Sequence, residues 1–177
     1  AGVAGRASFS VGAGEGLAFS EDLVEKVAAV PGVKLAVPLV RGVAFPDDGS
    51  GELLTVHGVD LTQDAAVRLY HTANNARQVI PDALQFLNTP DSIVLGREFA
   101  DRRQLHRGDA IDLVTPDGVK RFTIRGLLDP EGLARTLRGR LVVMDLYAAE
   151  RACTADGQIN QIDVVVDAAA DVETTKN

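Results

Sequence analysis

The sequence is poor in the residues that build covalent or metal-based frameworks. It has one cysteine, one methionine and no tryptophan among 177 residues, and aromatic residues make up 5%. A single cysteine, Cys153, forms neither an internal disulfide nor a four-thiolate zinc site. Because the one methionine, Met144, is internal, we expect the chain to be a processed product or a piece of a longer protein.

Long apolar runs and an excess of positive charge are also missing. No stretch reaches the roughly 18 consecutive apolar residues that a membrane-spanning helix requires, and none has the basic start and apolar centre of a signal peptide. Acidic residues outnumber basic ones by 25 to 18, which gives a net charge of −7. Nucleic-acid binding needs clustered Lys and Arg, so we expect a globular domain with no nucleic-acid partner.

The first 62 residues predict a β-α-β-β unit. Residues 6–11 and 35–45 have strand character, and 53–59 returns as a third strand after an Asp-Gly-rich turn at 47–51. Between the first two strands, apolar residues at helical spacing follow Ser20, which we interpret as a helix N-cap. Pro31 and Gly32 end that helix.

The middle of the chain is harder to interpret. Asp60 and Gln63 resemble a capping pair that opens a short helix to about Tyr70. Residues 71–91 contain two prolines and two adjacent asparagines around a short apolar patch. We predict a connecting arm there.

From residue 92 onward the pattern predicts many short strands. These are a buried strand at 93–95, a hairpin whose return strand alternates Phe122 and Ile124 with polar residues, and a strand at 141–144. Helices are predicted at 97–105 and 146–153. The last strand, 161–167, alternates Ile162, Val164 and Val166 with Asp163 and Val165, and a new helix is expected to start at 171–173.

Several patterns resemble functional motifs, and each has a simpler interpretation that we favour. Glycines 12, 14 and 16 follow a strand, but the next helix starts too late for a dinucleotide-binding loop. The three histidines, His57, His71 and His106, lack metal-site spacing, so we expect surface or hydrogen-bonded side chains. Cys153 on the apolar side of a helix is expected to be a small core residue.

The charged clusters are likewise expected to be structural. The pairs Asp47/Asp48 and Asp129/Glu131 lie beside Gly or Pro, which predicts solvated turns. Residues 107–109 spell Arg-Gly-Asp, and we favour a turn over an adhesion motif. The cluster of Arg135, Arg138 and Arg140 is either a solvated loop, which we favour, or an exposed arm that meets a partner or lipid headgroups. We therefore expect no catalytic, cofactor-binding or metal-binding residues.

Short motifs in a fixed order nevertheless resemble a known family. The motifs are Gly58-Val59-Asp60, Ser92-Ile93-Val94-Leu95-Gly96 with Ala100, Gly108-Asp109 with Ile111, Gly118 with Phe122 and Gly126, Val142-Val143-Met144-Asp145, and Gln161-Ile162-Asp163. Together they resemble the extracytoplasmic core domain of MacB/FtsX-like ABC-transporter permeases, which in that family is inserted between the first and second membrane helices.

This resemblance implies an α+β fold with two lobes. A porter-like α/β lobe would comprise residues 1–62 and, as a truncated return segment, 158–177. Residues 63–91 would form the connecting arm, and 92–157 an inserted β-rich lobe. The family's porter-like lobe continues with a further helix and strand, which this sequence only begins.

The implied function is mechanical rather than catalytic. The domain would lie on the extracytoplasmic side of the bacterial inner membrane and transmit ATP-driven movement to substrate release or to an envelope partner. The implied partners are a cognate ABC ATPase, a second permease copy and an envelope or substrate protein, and no cofactor is implied. One alternative is a secreted or envelope-associated ligand-binding module. A third, less favoured, is an enzyme whose site converges from distant residues such as His57, Asp112 and Arg125.

Overall fold

A computed structural model describes residues 8–12, 14 and 17–167. Its strands are β1 (Ser8–Gly12), β2 (Phe19–Ser20), β3 (Val33–Pro46), β4 (Leu54–Val59), β5 (Ser92–Gly96), β6 (Ala110–Thr115), β7 (Gly118–Leu128), β8 (Leu141–Asp145), β9 (Gln158–Ile159) and β10 (Gln161–Val166). Its helices are α1 (Leu23–Ala28), α2 (Asp64–Leu69), α3 (His71–Val79), α4 (Ala83–Asn88), α5 (Arg97–Arg102), α6 (Gly132–Thr136) and α7 (Leu146–Cys153).

Eight of these strands form one sheet, and part of that sheet closes on itself. The strand order is β1-β10-β3-β4-β8-β5-β7-β6, and β6 also pairs with the end of β3. The second pairing joins Phe45 to Val114 and Pro46 to Leu113. The six strands from β3 to β6 therefore make a closed ring, while β1 and β10 extend beyond it.

Strand β3 links the ring to this extension. Its first half, from Val33 to Leu39, pairs with β10, its middle with β4, and its last two residues with β6. A strand of 14 residues spans roughly 46 Å at the usual rise of about 3.3 Å per residue. One continuous stretch of backbone thus crosses the described fold from one part to the other.

The ring is filled by apolar side chains from every one of its strands, as a small closed sheet requires. The same core continues under α5 and α7 and into the β1–β10 extension. A second core lies on the other face of the sheet, beneath α2, α3, α4 and α6. The ring strands contribute Val40, Ala44, Leu54, Val56, Ile93, Leu95, Ile111, Leu113, Phe122, Ile124, Val142 and Met144 to the first core.

Most of the predicted elements are present with shifted ends. Helix α7 spans the predicted residues 146–153, and Phe122 and Ile124 of β7 are buried in the predicted alternation. The stretch 71–91, predicted as an arm, contains two helices, α3 and α4. The side chain of Asp60 bonds Thr62 and not the start of α2, so the predicted capping pair is wrong. The predicted helix at 171–173 lies outside the described residues.

Two further corrections concern single residues. Ser20 belongs to strand β2, and α1 begins after Asp22, so the predicted N-cap is wrong. Asp163, on the polar side of the alternation predicted for the last strand, is 2% exposed. It is buried because β10 lies between β1 and β3 and both of its faces are covered.

Candidate functional site: an acidic cleft, an apolar groove and a buried polar cluster

The first candidate site is a cleft of about 410 Å³ between α1 and α2, against the first half of β3. We call it the acidic cleft. Its rim carries four carboxylate side chains, and its floor is apolar, with Leu35, Val37 and Leu146 among the lining residues. The rim carboxylates belong to Glu21, Asp22, Glu25 and Asp60.

Next to this cleft, Glu150 of α7 is buried, and the half-buried carboxyl of Glu21 lies beside it. Its Oε1 accepts a hydrogen bond from the Gly157 N–H at 2.9 Å, while Oε2 has no hydrogen-bond partner within the described residues. Burial, and after it the neighbouring Glu21 carboxyl, raises the pKa of Glu150 to about 7, although the Gly157 bond opposes the change. Close to neutral pH the side chain therefore exchanges a proton.

We expect Glu150→Gln to remove the loss of stability that the parent protein shows as the pH rises through 7. A folded-state pKa raised from 4.5 to about 7 gives stability that is complete below pH 4.5 and lost as the pH rises through 7. The neutral amide avoids that loss, so at pH 8 the variant should be more stable than the parent by about 1–3 kcal/mol. At pH 5 the two proteins should have the same free energy of unfolding. Urea unfolding at several pH values measures this, with exposed Glu131→Gln as the control.

The second candidate site is a groove of about 870 Å³, which we call the apolar groove. It is lined by Arg41, Gly42 and Val43 in the middle of β3, by Cys153 at the end of α7, and by Pro116 in the β6–β7 turn, among others. Gly42 leaves room for the Cys153 side chain, because an added Cβ would lie 2.7 Å from the Cys153 sulfur. Burial raises the pKa of the Cys153 thiol to about 11, so the thiol is protonated at neutral pH. Cys153 is a partly buried core residue, as predicted.

A third feature is a buried carboxylate with a complete set of donors. Asp163 accepts hydrogen bonds from Ser10 Oγ at 2.6 Å, Tyr70 Oη at 2.6 Å and Gln161 Nε2 at 2.7 Å. Burial and the bond to Asp163 raise the pKa of Tyr70 above its ordinary value. The bonds join β1, β10 and the start of α3, so this cluster holds those elements together.

His57 lies beside this cluster and is not hydrogen-bonded at Nε2. It is 4% exposed, its ring meets that of Tyr70 edge-on at 5.6 Å, and its Nε2 has no partner in the described part of the chain. Burial, and then the charge of Arg41, lower the pKa of His57 to about 4, against the opposing charge of Asp163. The expectation of a surface or hydrogen-bonded side chain is wrong for His57, whereas His71 and His106 are exposed as expected.

The three residues proposed for a convergent catalytic site do not form one. His57 is buried in β4, and Asp112 makes two hydrogen bonds with Arg121 across the β6–β7 hairpin, at 2.8 and 3.2 Å. Arg125 lies on β7 with its Nε buried and without a hydrogen-bond partner among the described residues. The perturbed histidine is thus enclosed in the core and not displayed in a cleft.

In the first carboxylate pair, Asp48 takes part in an ion-pair network at the surface. Asp48 pairs with Arg103, which also contacts Glu52 at 3.0 Å and stacks over the Phe99 ring at 4.7 Å. Hydrogen bonds from Ser50, and then from Arg103, lower the pKa of Asp48 to about 2. Asp47 and Asp48 are exposed in the turn after β3, as predicted, and Asp48 is also paired there with Arg103.

In the second carboxylate pair, Asp129 bonds Arg97 at 2.8 Å and Glu131 is exposed before α6. At the arginine cluster, Arg135 and Arg140 donate to the nearby backbone carbonyls of Pro130 and Leu137. Arg135 thus lies in the short helix α6, and Arg138 and Arg140 lie in the turn between α6 and β8.

The Arg-Gly-Asp motif lies wholly within the described residues, whereas the glycine loop at 12–16 does so only in part. Residues 107–109 form the predicted turn, in which Gly108 has φ +97° and Asp109 accepts a bond from the His106 N–H. Gly12 and Gly14 line the apolar groove, and the rest of that glycine loop lies outside the described residues. Over the described ranges, no group of three or more His, Cys, Asp and Glu side chains is placed to hold a metal ion.

Comparison with known sequences gives one relevant relative. No family model matches the chain. An uncharacterized ABC transporter permease protein of Mycobacterium tuberculosis is 24% identical over 136 residues, which are 76% of this chain but 16% of that permease. The chain thus matches only a small part of a much longer protein. None of the helices described here is long and apolar enough to cross a membrane.

Comparison with solved structures identifies the fold. The periplasmic region of MacB from Actinobacillus actinomycetemcomitans matches with a TM-score of 0.55 at 10% identity, over 96% of this chain and 78% of that one. The extracellular domain of the noncanonical ABC-type transporter YknZ from Gram-positive bacteria gives 0.54 at 15%, over 95% and 86%. The chain has the fold of these extracytoplasmic domains. The predicted resemblance and the predicted mixed α and β fold are confirmed.

Proposed function

We propose that this chain is the extracytoplasmic domain of an ABC-transporter permease subunit and passes ATP-driven movement to a substrate or an envelope partner. The observation that carries the proposal is the shared fold, which extends over nearly the whole chain. The sequence relative, a permease, supports it independently. The full protein would be anchored in the bacterial inner membrane and would depend on a cognate ATPase for energy.

The course of β3 supports a mechanical role. A lever must carry displacement from one end to the other without bending, and β3 joins the β1–β10 extension to the ring through consecutive ladders. The division that we propose from the resemblance is residues 1–62 with 158–177 as the porter-like lobe, 63–91 as the connecting arm, and 92–157 as the inserted lobe. In this division β3 and β4 belong to the first lobe and are joined to the inserted lobe by their ladders with β6 and β8. A second permease copy would place two such levers side by side.

Spin labels in the full-length transporter test this proposal. One label replaces Lys26, which is exposed on α1. The other replaces Val119, which is 57% exposed in β7 beside the β6–β7 turn. With both labels in one copy, the distance should stay the same between the nucleotide-free and ATP-trapped states. With Val119 labelled in two copies, the distance should change by several ångströms. An ATP-independent distance between copies would contradict the proposal.

A second candidate function is a ligand-binding module, favoured by the size of the apolar groove. Its volume of about 870 Å³ is within the range of small-molecule sites. If it binds apolar ligands, 1-anilinonaphthalene-8-sulfonate should fluoresce with the folded chain, and Val43→Asp should abolish the signal. The matched control is Val119→Asp, on the exposed hairpin outside the groove.

A further inference from the structure

The first half of β3 has an edge that is not paired with any described strand. Residues 33–38 pair with β10 on one side, whereas pairing with β4 begins only at Leu39 and Val59. Beyond Val59 the chain turns away into α2, so no strand among the described residues continues β4 along this edge. The acidic cleft lies at this edge, and its wall includes residues 35–38.

The backbone of this edge offers free hydrogen-bonding groups. Pro38 has no N–H, so the pair Pro38–Ile162 is not one that exchanges two N–H···O bonds across the β3–β10 ladder. The bonded pairs are its neighbours, and the Leu39 carbonyl indeed accepts from the Asn160 N–H on that side, at 3.3 Å. Ala36, two residues before Pro38, therefore directs its N–H and C=O into the cleft.

The carboxylates at the rim of the acidic cleft favour a positively charged binding partner. Glu21, Asp22 and Glu25 line one side and Asp60 the other, while the positive charge on the edge itself is Lys34 at its end. Tyr147 at the mouth, 54% exposed, also lines the cleft. Burial, and then the carboxylates of Asp60 and Glu21, raise the pKa of this tyrosine, which shows that the local field is negative.

We propose that the acidic cleft binds an extended, lysine- or arginine-bearing segment of a partner protein, which adds a strand to β3 beside Ala36. Open sheet edges bind peptides in this way, with main-chain bonds giving affinity and flanking side chains giving specificity. The apolar floor takes the alternate side chains of the segment, and the rim pairs with its cations. Four paired residues span roughly 13 Å, so a six-residue segment is long enough.

Titration of the folded chain with the peptide Val-Lys-Val-Lys-Val-Lys at low salt tests the proposal by nuclear magnetic resonance. We expect saturable shifts at residues 34–38, and an otherwise identical peptide with Glu in place of Lys should cause none. Ala36→Pro removes the N–H that faces the cleft and should weaken binding at least about tenfold. A dissociation constant above about 1 mM for the lysine peptide and the parent chain would overturn the proposal.

If Ala36→Pro does not fold, a variant that removes rim carboxylates tests the same binding site. Asp22→Asn with Glu25→Gln removes two exposed rim charges and should weaken binding about fivefold at low salt, with the difference vanishing at high salt. The matched control is Glu131→Gln with Asp101→Asn, which removes two exposed charges elsewhere and should leave binding unchanged. Equal weakening by both pairs would show a general charge effect and would contradict a built site.

Discussion

Gly96→Ala should destabilise the protein by about 3 kcal/mol or more, because the backbone of another segment occupies the space that its Cβ needs. The added atom would lie 2.2 Å from the Gly139 carbonyl oxygen and 2.5 Å from its Cα. Gly139 in turn leaves no room for a Cβ, since one there would lie 2.4 Å from the Phe99 nitrogen. Two glycines thus permit the close approach of the turn before β8 to the start of α5.

Thermal unfolding measures this effect. A loss of 3 kcal/mol corresponds to a fall in Tm of about 6–12 °C for a chain of this length. The control is Gly12→Ala, where φ is not in the left-handed region and the nearest atom, the Asn160 oxygen, is 3.8 Å away. That variant should melt close to the parent. A Gly96→Ala protein that melts within about 2 °C of the parent would contradict the described packing.

Replacing His57 with Leu should remove the loss of stability that this histidine causes in acid. The unfolded chain binds a proton on this histidine below pH 6.5, whereas the folded protein binds it only near pH 4. His57 therefore removes stability as the pH falls from 6.5 to 4, by about 3 kcal/mol in total. The leucine variant does not titrate there and keeps that stability.

Comparing His57→Leu with Glu150→Gln tests the assignment of both titrating groups. Between pH 4.5 and 6.5, the loss of stability at His57 on acidification opposes the gain at Glu150, so the parent's free energy of unfolding should be nearly constant. His57→Leu should become less stable as the pH rises, and Glu150→Gln more stable. His106→Leu is the control, since the His106 side chain is 81% exposed. Slopes of the same sign in both variants would show that the assigned groups are wrong.

The predictable parts of the fold are those with a regular apolar pattern and a clear boundary. Helix α7 is predictable from the sequence because apolar residues recur at helical spacing after Asp145. Strand β7 is predictable because Phe122 and Ile124 alternate with polar and charged residues. The helices α3 and α4 are not predictable in this way. The sequence of α3, His71–Val79, is mostly polar, and its fully buried residues are Ala73 and Ala76 on one face. Their burial depends on tertiary packing, which local propensity does not encode.

The candidate sites were less predictable than the fold. Glu150 lies in a helix and Asp163 in a strand, and each resembled an ordinary solvent-facing residue at its position. The signal available for Asp163 was its place inside a run of Ile and Val, which is typical of a strand buried on both faces. The acidic cleft gives no signal in the sequence, because its carboxylates come from two separate segments, the β2–α1 turn with α1 and the β4–α2 turn, which meet only across β3.

The central claim is that this domain belongs to an ATP-driven membrane transporter. The most direct measurement is purification of the full-length protein from its native membranes in mild detergent, followed by identification of the co-purifying subunits and assay of ATP hydrolysis. Our account predicts an integral membrane protein that carries an ABC ATPase in fixed stoichiometry. A protein released from the membrane by a salt wash, with no ATPase in association, would contradict the account and favour the ligand-binding alternative.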